Sequence, residues 1–274
     1  MALPSRPIAF VLASSNHGTM ILNRNDVAGP EHARIGVGWQ ILSRSAFDPQ
    51  EVDLAHVLLD WRRRSFGDGV VAIDGGANIG VHTIEWARHM HGWGRVLAFE
   101  AQELVFYALA GNIAINNCMN ARARWAALGE RPGEIAIPQP DYHRAASFGS
   151  LELKERANNE RIGQAISYQA GDMVKTPMTS VDALALDRLD FFKLDVESME
   201  LEVLRGARET LARHRPILLV EVIKSDANAL QAFARELGYA TWVLGMNMLA
   251  VHASDPLTQD IRVEGNQLHF GRVA

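Results

Sequence analysis

The chain holds a single cysteine, Cys118, among 274 residues, which excludes a disulfide framework and a cysteine zinc site. A cytoplasmic setting follows most simply. It also lacks a run long enough to cross a bilayer: Ile8 to Ala13 is shorter than a signal-peptide core and reads as a first strand. A basic excess is missing too. With 27 Lys and Arg against 32 Asp and Glu, the net charge is -5, so nothing suggests nucleic acid or another polyanion as partner. There is no internal repeat and no low-complexity tract. What remains is an ordinary globular composition, 48% hydrophobic and 22% charged, with material for a sizeable core.

The most informative stretch is Val70 to Gly80, VVAIDGGANIG. Val70 to Ile73 suit a parallel strand buried on both faces. Asp74 closes the strand, Gly75 and Gly76 permit a turn with positive φ, and Gly80 lets the next helix pack closely. This arrangement is expected to present bare backbone N–H groups to a ligand, with Asn78 capping the helix through its side chain. A pyrophosphate would meet like charge at Asp74, whereas S-adenosylmethionine carries an ammonium and a sulfonium that an acid attracts. Glu100, about twenty residues beyond Gly80 at the end of the next strand, is placed to bind ribose hydroxyls.

Before this stretch, Ile8 to Leu12, Thr19 to Leu22 and Gly36 to Leu42 read as strands of a β-rich lead-in over residues 1–47. Asp48, Pro49 and Glu51 resemble an N-cap, a first-turn proline and a capping-box acid, starting a helix to about Arg63. Arg62 to Arg64 read as its solvated end. After it, strand, helix, strand, helix and strand alternate through Ala127, which argues a doubly wound, mostly parallel α/β sheet. His89 and His91 stand two apart and do not share a helix face, so a frayed helix end is expected there rather than a metal pair. Residues 131–175 break the pattern and read as an inserted hairpin and lid, with LELKERANNER solvated; Tyr142, His143 and Ser147 are its candidate substrate contacts. The sheet resumes at Phe191 to Val196, with a helix over Glu200 to His214, a strand at Ile217 to Val222, a helix from Ala227 and an antiparallel closing hairpin at 240–251. The main domain is expected over residues 48–254, followed by a tail at 255–274 with an edge strand.

Parallel α/β sheets bind ligands at the carboxyl ends of their strands, and four such ends carry acids: Asp74, Glu100, Asp195 and Glu221. Lys193, Asp195 and Glu197 alternate, so they share one side if the strand persists. An oxygen-ligand metal site at Asp195, Glu197 and Glu221 is opposed by Lys193 on that face, and no metal is expected.

The series IDGGANIGVHTI, VLAFEAQ, NIAINN, SFGSLEL, TSVDAL, FFKLDVESMELEVLRGA and RPILLVEV resembles the FkbM-type methyltransferases across about Asp48 to Val222. The resemblance implies a class I methyltransferase (Rossmann-like) sheet and transfer of a methyl group from S-adenosylmethionine, typically to a hydroxyl oxygen. It places Asp74, Gly76, Asn78, Gly80 and Glu100 in the cofactor site, joined here by Gly75 from the turn. It sets Asp195 and Glu197 where the methyl group meets its acceptor, and His143, Lys193 and Glu221 are the expected acceptor contacts. Two departures stand out. Ser198 and Met199 fill positions usually held by Gly and Ala or Tyr, and serine at a positive φ costs on the order of 1 kcal/mol. Ala101 replaces a usual proline. The expected function is O-methylation of a sugar, glycolipid precursor or polyketide-like molecule. The alternatives are an NAD(P)-dependent oxidoreductase and a non-catalytic S-adenosylmethionine-binding module.

Overall fold

The computed structural model describes residues 7–264 and 267–270. Phe10–Ser15 (β1) and Gly18–Asn23 (β2) form an antiparallel hairpin whose Met20 and Leu22 are fully buried. The third piece of the lead-in is a helix, Val37–Arg44 (α1), not the strand expected over Gly36 to Leu42. Val37 and Ile41, four apart, bury one helical face, and the Asp26 carboxylate accepts the Gly38 N–H at 2.8 Å, satisfying a first-turn donor from outside the helix. A tertiary contact thus decides a segment whose sequence reads either way.

Pro49–Phe66 (α2) begins where the sequence predicts, yet Asp48 sits at φ 39° without a capping bond. Glu51 does not form a capping box; its carboxylate accepts from Asn247 Nδ2 at 2.7 Å. Arg62 is a second correction. It is buried, not solvated, and bridges Asp190 (3.3 Å) and Asp255 (2.5 Å).

Val70–Gly75 (β3), Val81–His89 (α3), Gly94–Glu100 (β4), Glu103–Ile115 (α4) and Ala121–Trp125 (β5) follow the predicted alternation. His89 ends α3, stacks on His56 and bonds Asp60 at 2.8 Å. Ala127–Leu128 (β6), Gly133–Pro138 (β7) and Met173–Thr179 (β8) make a separate three-stranded sheet in the order β6-β8-β7. The chain between β7 and β8 contains only short 3₁₀ turns. It is less solvated than its charges suggest, because Leu151, Glu152, Leu153 and Ile162 are buried.

Phe191–Leu194 (β9) returns the chain to the main sheet, followed by Glu200–Arg205 (α5) and Arg208–His214 (α6). The single helix expected over this span is broken at Gly206, where an added Cβ would stand 2.3 Å from the Gly129 carbonyl oxygen. Ile217–Glu221 (β10), Ala227–Glu236 (α7), Tyr239–Leu244 (β11) and Asn247–His252 (β12) complete the sheet, in the order β11-β12-β10-β9-β3-β4-β5. β12 runs antiparallel to both neighbours and the other pairings are parallel. This is the doubly wound, mostly parallel sheet with an antiparallel closing strand that the pattern predicts.

Alternate residues of β3 feed different cores. Val70 and Ala72 pack with Leu58, Ile84, Trp86 and the hairpin residues Met20 and Leu22, while Val71 and Ile73 pack with Val203, Leu204, Leu211 and Leu230. Each such fully buried aliphatic side chain contributes roughly 1.5–3 kcal/mol. The chain winds from β3 out to β5 and then crosses back to β9 beside β3, so the switch point lies between β3 and β9, where a crevice opens at the strand ends. Near the C-terminus, Ile261–Glu264 (β13) and Gln267–Phe270 (β14) pair only with each other among the described residues. The expected edge strand on the main sheet is therefore replaced by a separate hairpin; the remainder of that expectation, at residues 265–266 and 271–274, lies outside the described residues. No helix among them is long and apolar enough to cross a membrane.

Candidate functional site

A cavity of about 410 Å³ opens at the carboxyl ends of β3, β4, β9 and β10. At one end lie Gly76, Ala77, Asn78, Ile79, Glu100, Ala101 and Gln102. Gly76 has φ 78°, and a Cβ there would stand 1.8 Å from the Asp195 carbonyl oxygen, so only glycine lets the β3 turn lie against the β9 turn. Asn78 takes φ 51°, a conformation asparagine tolerates better than most residues. Its side chain accepts from the Ile79 N–H at 2.8 Å instead of capping α3, whose N-cap position is Gly80.

The backbone donors of this turn are not bare. Gly76 and Ala77 both donate to the Phe99 carbonyl, Asn78 to Glu100 Oε2, Ile79 to Asn78 Oδ1 and Gly80 to the Ala77 carbonyl. The expectation of free N–H groups is thus corrected: the turn is closed on itself and on β4. Glu100 is held at both oxygens, by the Asn78 N–H at 2.9 Å and the Gln102 N–H at 2.8 Å. Burial raises its pKa to about 7, against these N–H bonds, which favour the carboxylate. Each oxygen keeps a second lone pair, a setting in which two ligand hydroxyl donors would be welcome.

The opposite end gathers Asp48, Glu160, Lys193, Asp195, Glu197, Glu221 and Lys224. Carboxylate oxygens of Asp195, Glu197 and Glu221 lie within 4.8 Å of one another. β9 stops at Leu194, so Glu197 reaches this cluster through a left-handed turn (φ 55°) and not by strand alternation. Lys193 Nζ stands 3.3 Å from Asp195 and 3.6 Å from Glu51. Burial opposes its charge, but Asp195, Glu51, Asp74 and Glu221 outweigh burial and hold it protonated. Lys224 Nζ donates to Glu197 (2.5 Å), Glu160 (2.6 Å) and the Ser150 carbonyl (3.0 Å). Burial, then the neighbouring carboxylates beginning with Asp195, pushes Glu197 and Glu221 well above the usual carboxylate range. Six carboxyl groups and two ammonium groups line the whole cavity.

Several predicted residues sit elsewhere. Asp74 is fully buried beneath the turn, accepts from Thr83 Oγ1 at 2.6 Å, and lies in register with Lys193; its Oδ1 has no hydrogen-bond partner among the described residues. It does not line the cavity, and burial raises its pKa. Gly75 and Gly80 do not line the cavity; an added Cβ would meet Leu128 and Leu194 at the first and Leu109 at the second. His143 is exposed on the insertion and does not line the cavity, and Tyr142 is buried with its hydroxyl donating to Gln102 Oε1. Ser147 does reach the cavity, beside Gly149, Ser150 and Leu151. Sequence reasoning missed Asp48, His82, Gln102, Glu160 and Lys224. Of these, Gln102 and Lys224 follow predicted strand ends closely enough to have been read, while Asp48 was read as a cap. His82 is buried and held neutral, burial lowering its pKa well below the ordinary value.

The family described as the methyltransferase FkbM domain matches residues 74–241. "Methyltransferase 1" of Beauveria bassiana (strain ARSEF 2860) is 25% identical over 151 residues, covering 52% of this chain and 59% of that protein. "Methyltransferase sdnD" of Sordaria araneosa is 26% identical over 156 residues, covering 50% and 60%. The chain thus matches about three fifths of the length of each relative. The crystal structure of the methyltransferase FkbM from Methylobacillus flagellatus KT aligns over 70% of this chain and 48% of that one, at 16% identity and a TM-score of 0.47.

Proposed function

The chain belongs to the FkbM methyltransferase family, and from that premise we propose that it is a cytoplasmic O-methyltransferase acting on a hydroxyl of a sugar, glycolipid precursor or polyketide-like small molecule. The methyl donor is S-adenosylmethionine. The observation that carries this reading is the pairing of a closed glycine turn with Glu100. The five N–H groups from Gly76 to Gly80 are already engaged, which leaves a pyrophosphate none of them, while the Glu100 carboxylate is held open to hydroxyl donors. Asp74, Asp195 and the other acids add a negative field suited to the donor's two positive groups. The nicotinamide alternative loses its phosphate contacts on the same ground.

When bound, S-adenosylmethionine supplies an electrophilic methyl group on a positively charged sulfur. The residues at the far end then serve the acceptor. Asp195 accepts the acceptor's hydroxyl proton as the new oxygen–carbon bond forms, because an aliphatic hydroxyl holds its proton about as tightly as water, near 15.7, and is otherwise a poor nucleophile. Glu197 and Glu221 hold further acceptor hydroxyls, and Lys193 fixes the Asp195 carboxylate at 3.3 Å. Lys193 pairs with Asp195 and Lys224 with Glu197, and these two ammonium groups oppose a cation at the cluster, so the reaction is proposed to need no divalent metal. The acceptor is a small molecule or glycan and not a nucleic acid, in keeping with the acidic cavity lining.

The test is methyl transfer from isotopically labelled donor to a panel of hydroxylated sugars and polyketide-like alcohols, with the product located by NMR. An O-methyl product supports the reading, and a product methylated on nitrogen or carbon contradicts it.

A further inference from the structure

Glu197 and Ser198 are two successive non-glycine residues at positive φ, 55° and 80°. Neither side chain favours that conformation, and a turn of this kind persists only where its surroundings determine it. Glycine would adopt this backbone freely, and by carrying serine at position 198 the chain gives up that freedom. What it gains is a hydroxyl. Ser198 Oγ donates to Glu152 Oε2 at 2.7 Å, and both residues are 6% exposed. Glu152 is itself fixed, its other oxygen accepting the Glu160 N–H at 2.8 Å. Arg156 donates to the Ser198 carbonyl. Met199 is buried among Ala101, Ile137 and Leu153. The insertion between β7 and β8 is therefore fastened to the turn that carries Glu197.

We propose that Ser198 is a positioning residue: its hydroxyl, bound to Glu152, locks the Glu197–Ser198 turn in the left-handed form and so holds the Glu197 carboxylate beside Asp195 and Glu221. Ser198 does not line the cavity, whereas Glu197 does, so Ser198 acts through its neighbour. The inference deepens the reading of this end of the cavity as the acceptor site and rests on it. The charged groups acting on Glu197 are Asp195 on its own turn, Glu221 on β10, Lys224 after β10, Glu200 on α5, and, through Lys224, Glu160 of the insertion. An unlocked turn would let the carboxylate leave these groups for water.

The test uses the full chain with Ser198→Ala, which keeps the strain and removes the hydroxyl, and Ser198→Gly, which removes both. Carbon NMR follows the Glu197 carboxyl through a pH titration, melting is recorded, and S-adenosylhomocysteine binding is measured by calorimetry. The expected result is a Glu197 midpoint lower by about one pH unit or more in both variants, as burial and the Asp195 charge lose their hold. Ser198→Gly should melt above Ser198→Ala, and S-adenosylhomocysteine should bind both within about twofold of the unaltered chain. An unchanged Glu197 midpoint in Ser198→Gly would overturn the proposal, even if Ser198→Ala failed to fold. If S-adenosylhomocysteine does not bind the unaltered chain, the functional reading falls instead, and the titration still decides the role of Ser198.

Discussion

The Asn78 N–H donates to Glu100 Oε2 at 2.9 Å, joining the glycine turn after β3 to the acid that ends β4. Glu100 is the group through which this unit should respond to pH. Its pKa is raised to about 7, so the carboxylate is present above that value and lost as pH falls through it. The protonated form carries its proton on one of the two free lone pairs and so presents one acceptor fewer to a ligand hydroxyl. S-adenosylhomocysteine should therefore bind roughly tenfold more weakly at pH 6 than at pH 8, in proportion to the ionised fraction. Calorimetry across that range checks this, and Glu100→Gln should flatten the dependence.

Gly76→Ala should damage both binding and folding. The new Cβ would fall 1.8 Å from the Asp195 carbonyl oxygen, a backbone atom that cannot yield without moving the β9 turn, and φ 78° is itself strained for alanine. A loss of about 2–4 kcal/mol is expected from clash and strain together. Urea denaturation would measure it, and stability equal to the unaltered chain would show that the two turns are not held together as described.

These two residues also show where sequence reading succeeds. The glycine turn and the four acidic strand ends are local features, legible from burial pattern and spacing alone. What that reading could not supply is tertiary. Asp74 carries the right charge but points into the interior, in register with Lys193, and Asn78 bonds to its own neighbour instead of capping a helix. α1 forms because Asp26 reaches its first turn from twelve residues away. Lys224, after β10, and Glu160, in the insertion between β7 and β8, meet at 2.6 Å, a contact no local pattern encodes. His143 lies outside the cavity for the opposite reason: its residue type in a loop says nothing about which way the loop faces.

Arg62→Ala should be among the most destabilising single changes away from the site. Its side chain is 5% exposed, against 1% for Asp190 and 2% for Asp255. Asp190 would keep Arg188 at 2.7 Å and the Val71 N–H at 2.9 Å, but Asp255 would lose its ion-pair partner in the interior. Breaking a buried pair from one side costs about 3–5 kcal/mol. The measurement is the unfolding free energy in urea, with Arg63→Ala, on an exposed pair with Asp68, changing it by only ~0–1 kcal/mol.

Asp195→Asn preserves shape and removes the proposed base. With an acceptor in hand and donor occupancy held constant, single-turnover methyl transfer should slow by roughly two to four orders of magnitude. Glu197→Gln should do less. Turnover of the unaltered enzyme should survive a chelator, since Lys193 beside Asp195 and Lys224 beside Glu197 set two ammonium groups against the space a metal would take; loss restored by magnesium would assign that cluster to a metal instead.

The central claim is that the cavity at the ends of β3 and β4 holds S-adenosylmethionine and not a dinucleotide. Calorimetric titration of the full chain at pH 8 with S-adenosylhomocysteine, and separately with NAD, tests it most directly. One saturable site for S-adenosylhomocysteine, weakened at least about tenfold by Glu100→Ala as its ribose acceptor is lost, and no heat with NAD is the predicted result. Saturable binding of NAD with none of S-adenosylhomocysteine would contradict it.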